Sequence, residues 1–191
     1  MKVGKDHMQG IIPLHGGYKN LITYQKSEII YDGTIYFTKR FFQKYDRTID
    51  QMIQAARSGK QNIVEASMAS ATSKEMEIKL TNVARASLEG LKIDFQDFLR
   101  THKLPLWDKD HKLVARLREL NKIPNPTYEL FKKGIENESP EICANAMIGM
   151  IKVVSYLLNN QIKALESSFM QQGGLKERMA KARIDLRKKG Q

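Results

Sequence analysis

Apolar residues recur along this chain at intervals of three and four, and the recurrences fall into four long blocks separated by turn-forming residues. The first block, 18–44, places Ile30, Thr34, Phe37 and Phe41 on one helical face that Ile22, Ile29 and Tyr36 widen. The second, 48–71, carries Ile49, Met52, Ile53, Ala56, Ile63 and Ala66. In the third, 73–100, the stripe runs Met76, Leu80, Val83, Ala84, Ser87, Leu88, Leu91, Phe95 and Phe98. The fourth, 140–171, carries Met147, Ile151, Val154, Leu158, Leu165 and Phe169 and should stop where Gly173-Gly174 follows. Thr48 with Gln51, and Thr72 with Glu75, have the spacing of capping boxes, in which each side chain satisfies a backbone amide left unpaired by the first turn. Ser139-Pro140-Glu141 opens the fourth block by the same logic. Between the third and fourth blocks Pro105, Pro124 and Pro126 leave room only for short helices, over 108–120 and over 125–133 with Asn125 as cap and Pro126 at the first helical position. Alternation of period two is not sustained anywhere, so the chain reads as all-α.

The chain has 191 residues and is 41% hydrophobic, enough for one domain with a sizeable core and an appendage. A formal net charge of +11 gives it a field that attracts polyanions, although a basic surface also serves solubility alone. The charge is concentrated at the C-terminus. There, Lys176, Arg178, Lys181, Arg183, Arg187, Lys188 and Lys189 face only Glu177 and Asp185, while Leu175, Met179, Ala182 and Leu186 share one helical face. Set off by Gly173-Gly174, this segment reads as an arm that meets a second subunit, a nucleic acid or an acidic surface. Residues 1–17 read as a flexible lead-in without the apolar core of a signal peptide, and Ala144–Leu158, interrupted by Lys152, falls short of a membrane-spanning length. The lone Cys143 lies on an apolar stripe, which fits a reducing compartment and a cytoplasmic location.

Candidate chemistry is sparse. Ser58-Gly59-Lys60 has the look of a phosphate loop, but Gln54 stands where the first glycine is needed and Gln61 where Ser or Thr is. His7, His15, His102 and His111 are scattered, and Asp108, Asp110 and His111 suit a helix N-terminus better than a metal. Asn62, Glu65 and Arg85 lie within or beside the buried faces of the second and third blocks. They read as a buried polar network that fixes helix register, the alternative being a ligand or catalytic pocket. Gly59, inside a helix, calls for a packing reason. Arg57 and Lys60, with Lys74 and Lys79, would make an outward basic stripe able to touch phosphates. The aromatics Tyr18, Tyr24, Tyr31, Tyr36, Phe37, Phe41, Phe42 and Tyr45 crowd the first block, as core or subunit packing would require.

Three stretches resemble one known family. They are Thr48-Ile-Asp-Gln-Met-Ile-Gln-Ala-Ala-Arg-Ser-Gly-Lys-Gln-Asn-Ile-Val-Glu-Ala-Ser with Thr81-Asn-Val-Ala-Arg-Ala-Ser-Leu-Glu-Gly-Leu, then Leu104-Pro-Leu-Trp-Asp-Lys-Asp, and finally Gly173-Gly-Leu-Lys-Glu-Arg-Met-Ala-Lys-Ala-Arg. Together they are similar to the bacterial four-helix-bundle proteins encoded in intervening sequences of 23S ribosomal RNA genes, and the last resembles the suffix segment of one branch. The resemblance implies an antiparallel up-and-down four-helix bundle over 18–172, short helices between its third and fourth helices, and a basic amphipathic tail over 173–191. It also implies a ring, most often a pentamer, with no known reaction and no cofactor. A related branch, the accessory protein of diversity-generating retroelements, binds nucleic acid and a reverse transcriptase. One departure stands out: the family's Asn-Ile-Ala-Glu-Gly is here Asn62-Ile-Val-Glu-Ala66, which should alter helix spacing slightly without changing the fold. The expectation is therefore a cytoplasmic, non-enzymatic homo-oligomer that binds RNA or a ribonucleoprotein through Arg57, Lys60 and the tail. A scaffold that recruits a protein partner is the alternative.

Overall fold

The computed structural model describes residues 17–189; the expected lead-in, with His7 and His15, lies outside them except for Gly17. The described chain is all-helical. A single 3-10 turn, Tyr18–Asn20, precedes α1 (Ile22–Phe41), α2 (Arg47–Ala69), α3 (Lys74–Thr101), α4 (Lys112–Lys122), α5 (Tyr128–Ile135), α6 (Pro140–Gln172) and α7 (Leu175–Lys189). The four long helices pack in the cyclic order α1, α2, α3, α6, with α4 and α5 laid against α6.

The buried positions of α2 are Met52, Ala56, Gly59, Ile63 and Ala66, and those of α3 run Glu77, Thr81, Ala84, Leu88, Leu91, Phe95 and Phe98, with Leu99 buried beside the last of them. Both follow strict four-three spacing, which keeps one seam facing its neighbour over the whole helix. On α2 this is the expected stripe, with Ile49 and Ile53 half-buried at its edge. On α3 the first three turns differ from expectation. Met76 and Val83 are 46% and 39% exposed, while Glu77 and Thr81 take the inner positions. These polar residues tolerate burial because each is satisfied nearby: Lys74 Nζ donates to Glu77 Oε2 at 2.7 Å, and Thr81 Oγ1 to the Glu77 carbonyl at 2.7 Å. Gly59 has the expected packing reason, since a Cβ there would lie 2.7 Å from Leu88 Cδ2. Phe37, Phe41, Phe42, Phe95 and Phe98 form a joined aromatic cluster between α1 and α3, whereas Tyr45 stands out into solvent at 87% exposure.

Capping accounts for the remaining differences. Asp46, not Thr48, caps α2, its carboxylate accepting from Thr48 N at 2.8 Å and lying below the usual carboxylate pKa for that reason. Ser73, not Thr72, caps α3 by accepting from Met76 N at 3.1 Å. α4 starts at Lys112 rather than 108, because His111 Nδ1 accepts from Leu113 N while Asp108 Oδ1 is used on Asp110 N in the preceding turn. α5 starts after Thr127 rather than Asn125, whose φ of 49° is incompatible with the expected cap. The first long helix ends at Phe41, three residues short of expectation.

α6 is the central helix. From Cys143 to Leu158 most of its side chains are sealed against its neighbours. One 18-residue window within it has a mean hydropathy of 1.4, long and apolar enough by composition to cross a bilayer where the sequence reading expected none, and 56% of that window is buried inside the protein, as in the core helix of a bundle.

Candidate nucleic-acid interface

The expected network on the α2–α3 hairpin is not assembled. Asn62 Nδ2 donates within its own helix to Ser58 O and Oγ at 2.8 and 3.2 Å, Glu65 is exposed beside Gln61, and Arg85 Nη2 donates to Asn82 Oδ1 at 2.8 Å. The polar link between the two helices is instead Ser58 Oγ to Ser87 Oγ at 3.0 Å. Small hydroxyls reach each other where the seam is tight, and longer side chains turn outward.

The expected outward basic stripe is also dispersed. Arg57 is exposed, but Lys60 folds over the Tyr31 ring of α1, with Nζ 4.4 Å from the centroid. Lys74 is held by Glu77, which leaves Lys79 exposed one turn further on.

α7 does present its charges. Lys176, Lys181, Arg183, Arg187 and Lys188 are exposed, while Leu175, Met179 and Ala182 are half-buried on the other side. The side chains of Arg178, Leu186 and Lys189 lie outside the described ones. The Gly-Gly joint is not the open link the sequence suggests. Gly173, with φ 68°, ends α6; Gly174 is buried, and its N–H donates to Glu177 Oε2 at 2.9 Å.

A second basic surface escaped the sequence reading. α4 carries Lys112, Arg116, Arg118 and Lys122 against Glu119 alone, with Lys109 just before it. The helix has no fully buried residue and is seated by Leu117, whose side chain occupies the space a Cβ on Gly149 of α6 would fill. Its entry loop is fastened to the first turns of α6. Asn145 Oδ1 accepts from Trp107 N at 2.9 Å, Asn145 Nδ2 donates to Pro105 O at 3.0 Å, and Trp107 Nε1 donates to Glu141 Oε1 at 2.6 Å. Glu141, in the first turn of α6, is thus engaged by the indole, and Ser139, at the expected cap position, makes no side-chain cap bond. The indole stacks on His111 with centroids 4.1 Å apart. On one side of α4 lies a groove of about 340 Å³ against α6, and on the other a groove of about 310 Å³ against α5 and α6. The first is edged by Lys109, Arg118 and Lys152 and by the aromatics Trp107 and Tyr156.

Beneath α4 lies Lys26 of α1, only 1% exposed. Its ammonium donates to Asn121 Oδ1 at 2.7 Å and to the Asn121 carbonyl at 3.4 Å, and sits 5.4 Å from the Phe131 ring centroid. No carboxylate pairs with it among the described residues. The negative end of the α4 dipole and the aromatic face stand in for one, and burial holds the Lys26 pKa below the ordinary lysine value. Lys26 stands on the apolar stripe, four residues after Ile22 and four before Ile30, but a lysine there reads as one that reaches out to solvent.

The described residues hold no cluster of three or more His, Cys, Asp or Glu with metal-ligand geometry. Cys143 is fully buried, its thiol donating to Ile135 O, and burial pushes its pKa up to about 12. Comparison with known proteins returns no match: no family model fits the chain, and neither a curated protein nor a solved structure is similar to it.

Proposed function

We propose that this chain is a non-enzymatic, cytoplasmic, antiparallel up-and-down four-helix bundle that binds RNA or a ribonucleoprotein through basic surface. The observation that carries the reading is α7, whose exposed Lys176, Lys181, Arg183, Arg187 and Lys188 project from a helix with only Glu177 and Asp185 to oppose them. Unneutralised cations in a row release counterions when they meet phosphates, which gives affinity without sequence readout. The cyclic packing of α1, α2, α3 and α6 supports the bundle. Cys143, sealed and held protonated, is in the state opposite to that of an activated nucleophile.

The test is electrophoretic titration of the full chain with structured RNA over a salt series. Binding that weakens steeply with salt supports the reading, and no binding at low salt overturns it. Replacing Lys181, Arg183, Arg187 and Lys188 by Gln should reduce both affinity and the salt slope.

A homo-oligomer, a pentamer by the family resemblance, is part of the same proposal. Support comes from α3, where Met76, Val83 and Ile93 are apolar side chains that the described residues leave exposed. Light scattering should give about five times the 21.9 kDa of one chain, and Ile93→Lys should lower it.

A further inference from the structure

We propose that the groove between α4 and α6 binds a short unpaired stretch of an RNA strand, with bases against Trp107 at one end and Tyr156 about four helical turns along α6 at the other, and phosphates among Lys109, Arg118 and Lys152. This deepens the RNA reading by naming the site and the strand it takes. The groove's volume, about 340 Å³, is within the small-molecule range of roughly 300–1,000 Å³. Its floor is apolar, formed by Val114, Leu117, Ile148 and Val153. Two aromatic side chains and three cations at the rim of an apolar cleft match a ligand that is flat on one side and anionic on the other.

The cations are available. Lys109, Arg118 and Lys152 are exposed and take part in no ion pair among the described residues. The one rim carboxylate, Asp108, is engaged with Asp110 N at 2.8 Å. The aromatics are prepared as well. The indole of Trp107 is fixed by its bond to Glu141 and by the stacked His111, so little rotational freedom is lost on binding. Tyr156, at 65% exposure, is a large aromatic ring that the chain does not otherwise cover.

The two asparagines that line the groove, Asn121 and Asn145, are satisfied within the protein. Asn121 Oδ1 accepts from Lys26 while Asn121 Nδ2 donates to Leu117 O at 2.9 Å, and Asn145 is spent on Pro105, Trp107 and Glu141. Few donors or acceptors remain to read a base edge. The groove therefore favours unpaired over paired nucleotides, with little preference among bases. A duplex keeps its bases stacked inside and presents nothing to enter it.

Trp107 is the only tryptophan and lines both grooves beside α4, so intrinsic fluorescence of the full chain reports binding at either, and substitutions at Tyr156 and Arg118, which line this groove alone, assign the signal to it. Oligoadenylate should quench it at low salt, adenosine monophosphate should do so only at higher concentration, and a blunt RNA duplex should not. Tyr156→Ala and Arg118→Gln, both at exposed positions, should each weaken the oligoadenylate response about tenfold. Unchanged fluorescence with oligoadenylate, or equal quenching by a polyglutamate peptide, overturns the assignment. If structured RNA still binds through α7 in that case, the broader reading survives without the groove. If the groove is quenched by nucleotides but structured RNA does not bind, the groove stands and the broader reading falls.

Discussion

The α2–α3 hairpin and the α4 segment are opposite solutions to packing a helix. In the hairpin, a four-three seam buries one face of each helix along its length, closed by Gly59 against Leu88 and by paired serines. α4 buries no residue completely and is held by Leu117, by the loop tied to Asn145 and by the ammonium beneath its C-terminus. The contrast separates roles. A seam packed throughout leaves only shallow, open hollows at its surface, such as the one beside Ser58 and Ser87, whereas a helix propped at a few points leaves deeper grooves on both sides. An isolated helix of this length is marginal in water, so α4 depends on those props.

Overfilling the seam should have the largest effect. Gly59→Leu forces Leu88 away and should cost about 3 kcal/mol, read as a lowered melting temperature of the whole protein. Next is the prop under α4. Lys26→Ala leaves Asn121 Oδ1 without its donor and opens a cavity, and should cost about 2 kcal/mol in denaturant unfolding, while Lys26→Met leaves the same acceptor unpaired but refills the space and should cost less. Equal losses in the two variants would show that the Lys26 stem fills no space beneath α4 and would contradict its role as a prop.

Cys143 joins α6 to α5 and gives a pH signature. Its thiol pKa is raised from 9.0 to about 12 in the folded protein, so the folded form keeps a proton that the unfolded chain releases. The stability this contributes is complete below pH 9 and is lost as pH rises toward about 12. Cys143→Ala should flatten that part of the alkaline stability profile, and the native thiol should resist modification at neutral pH. The smallest global effect belongs to Leu117→Ala, about 1 kcal/mol, with faster amide exchange confined to α4. If that variant loosened α2 and α3 as well, the two regions would not be separate.

The hairpin was legible because its signals are local and periodic. Met52, Ala56, Ile63, Leu88, Leu91 and Phe95 fall where a three-four count puts them. The count misled in the first turns of α3, where Glu77 and Thr81 are satisfied by Lys74 and by the helix itself and so displace Met76 from the seam. The expected Asn62, Glu65 and Arg85 network failed for a related reason: each side chain finds a nearer partner on its own helix. The α4 groove was hidden because its parts come from Trp107, α4 and α6, brought together only by tertiary packing. Its basic composition, Lys109 through Lys122, was the one signal on the page. Lys26, though on the stripe, had none for its partner, since Asn121 lies in a helix distant in sequence.

Hydrogen exchange of the full chain, free and saturated with RNA at low salt, tests the division of labour most directly. The account expects protection over 105–122, around Lys152 and Tyr156, and over 175–189, with 47–69 and 74–101 unchanged. Protection confined to the α2–α3 hairpin, with α4 and α7 unaffected, would contradict it.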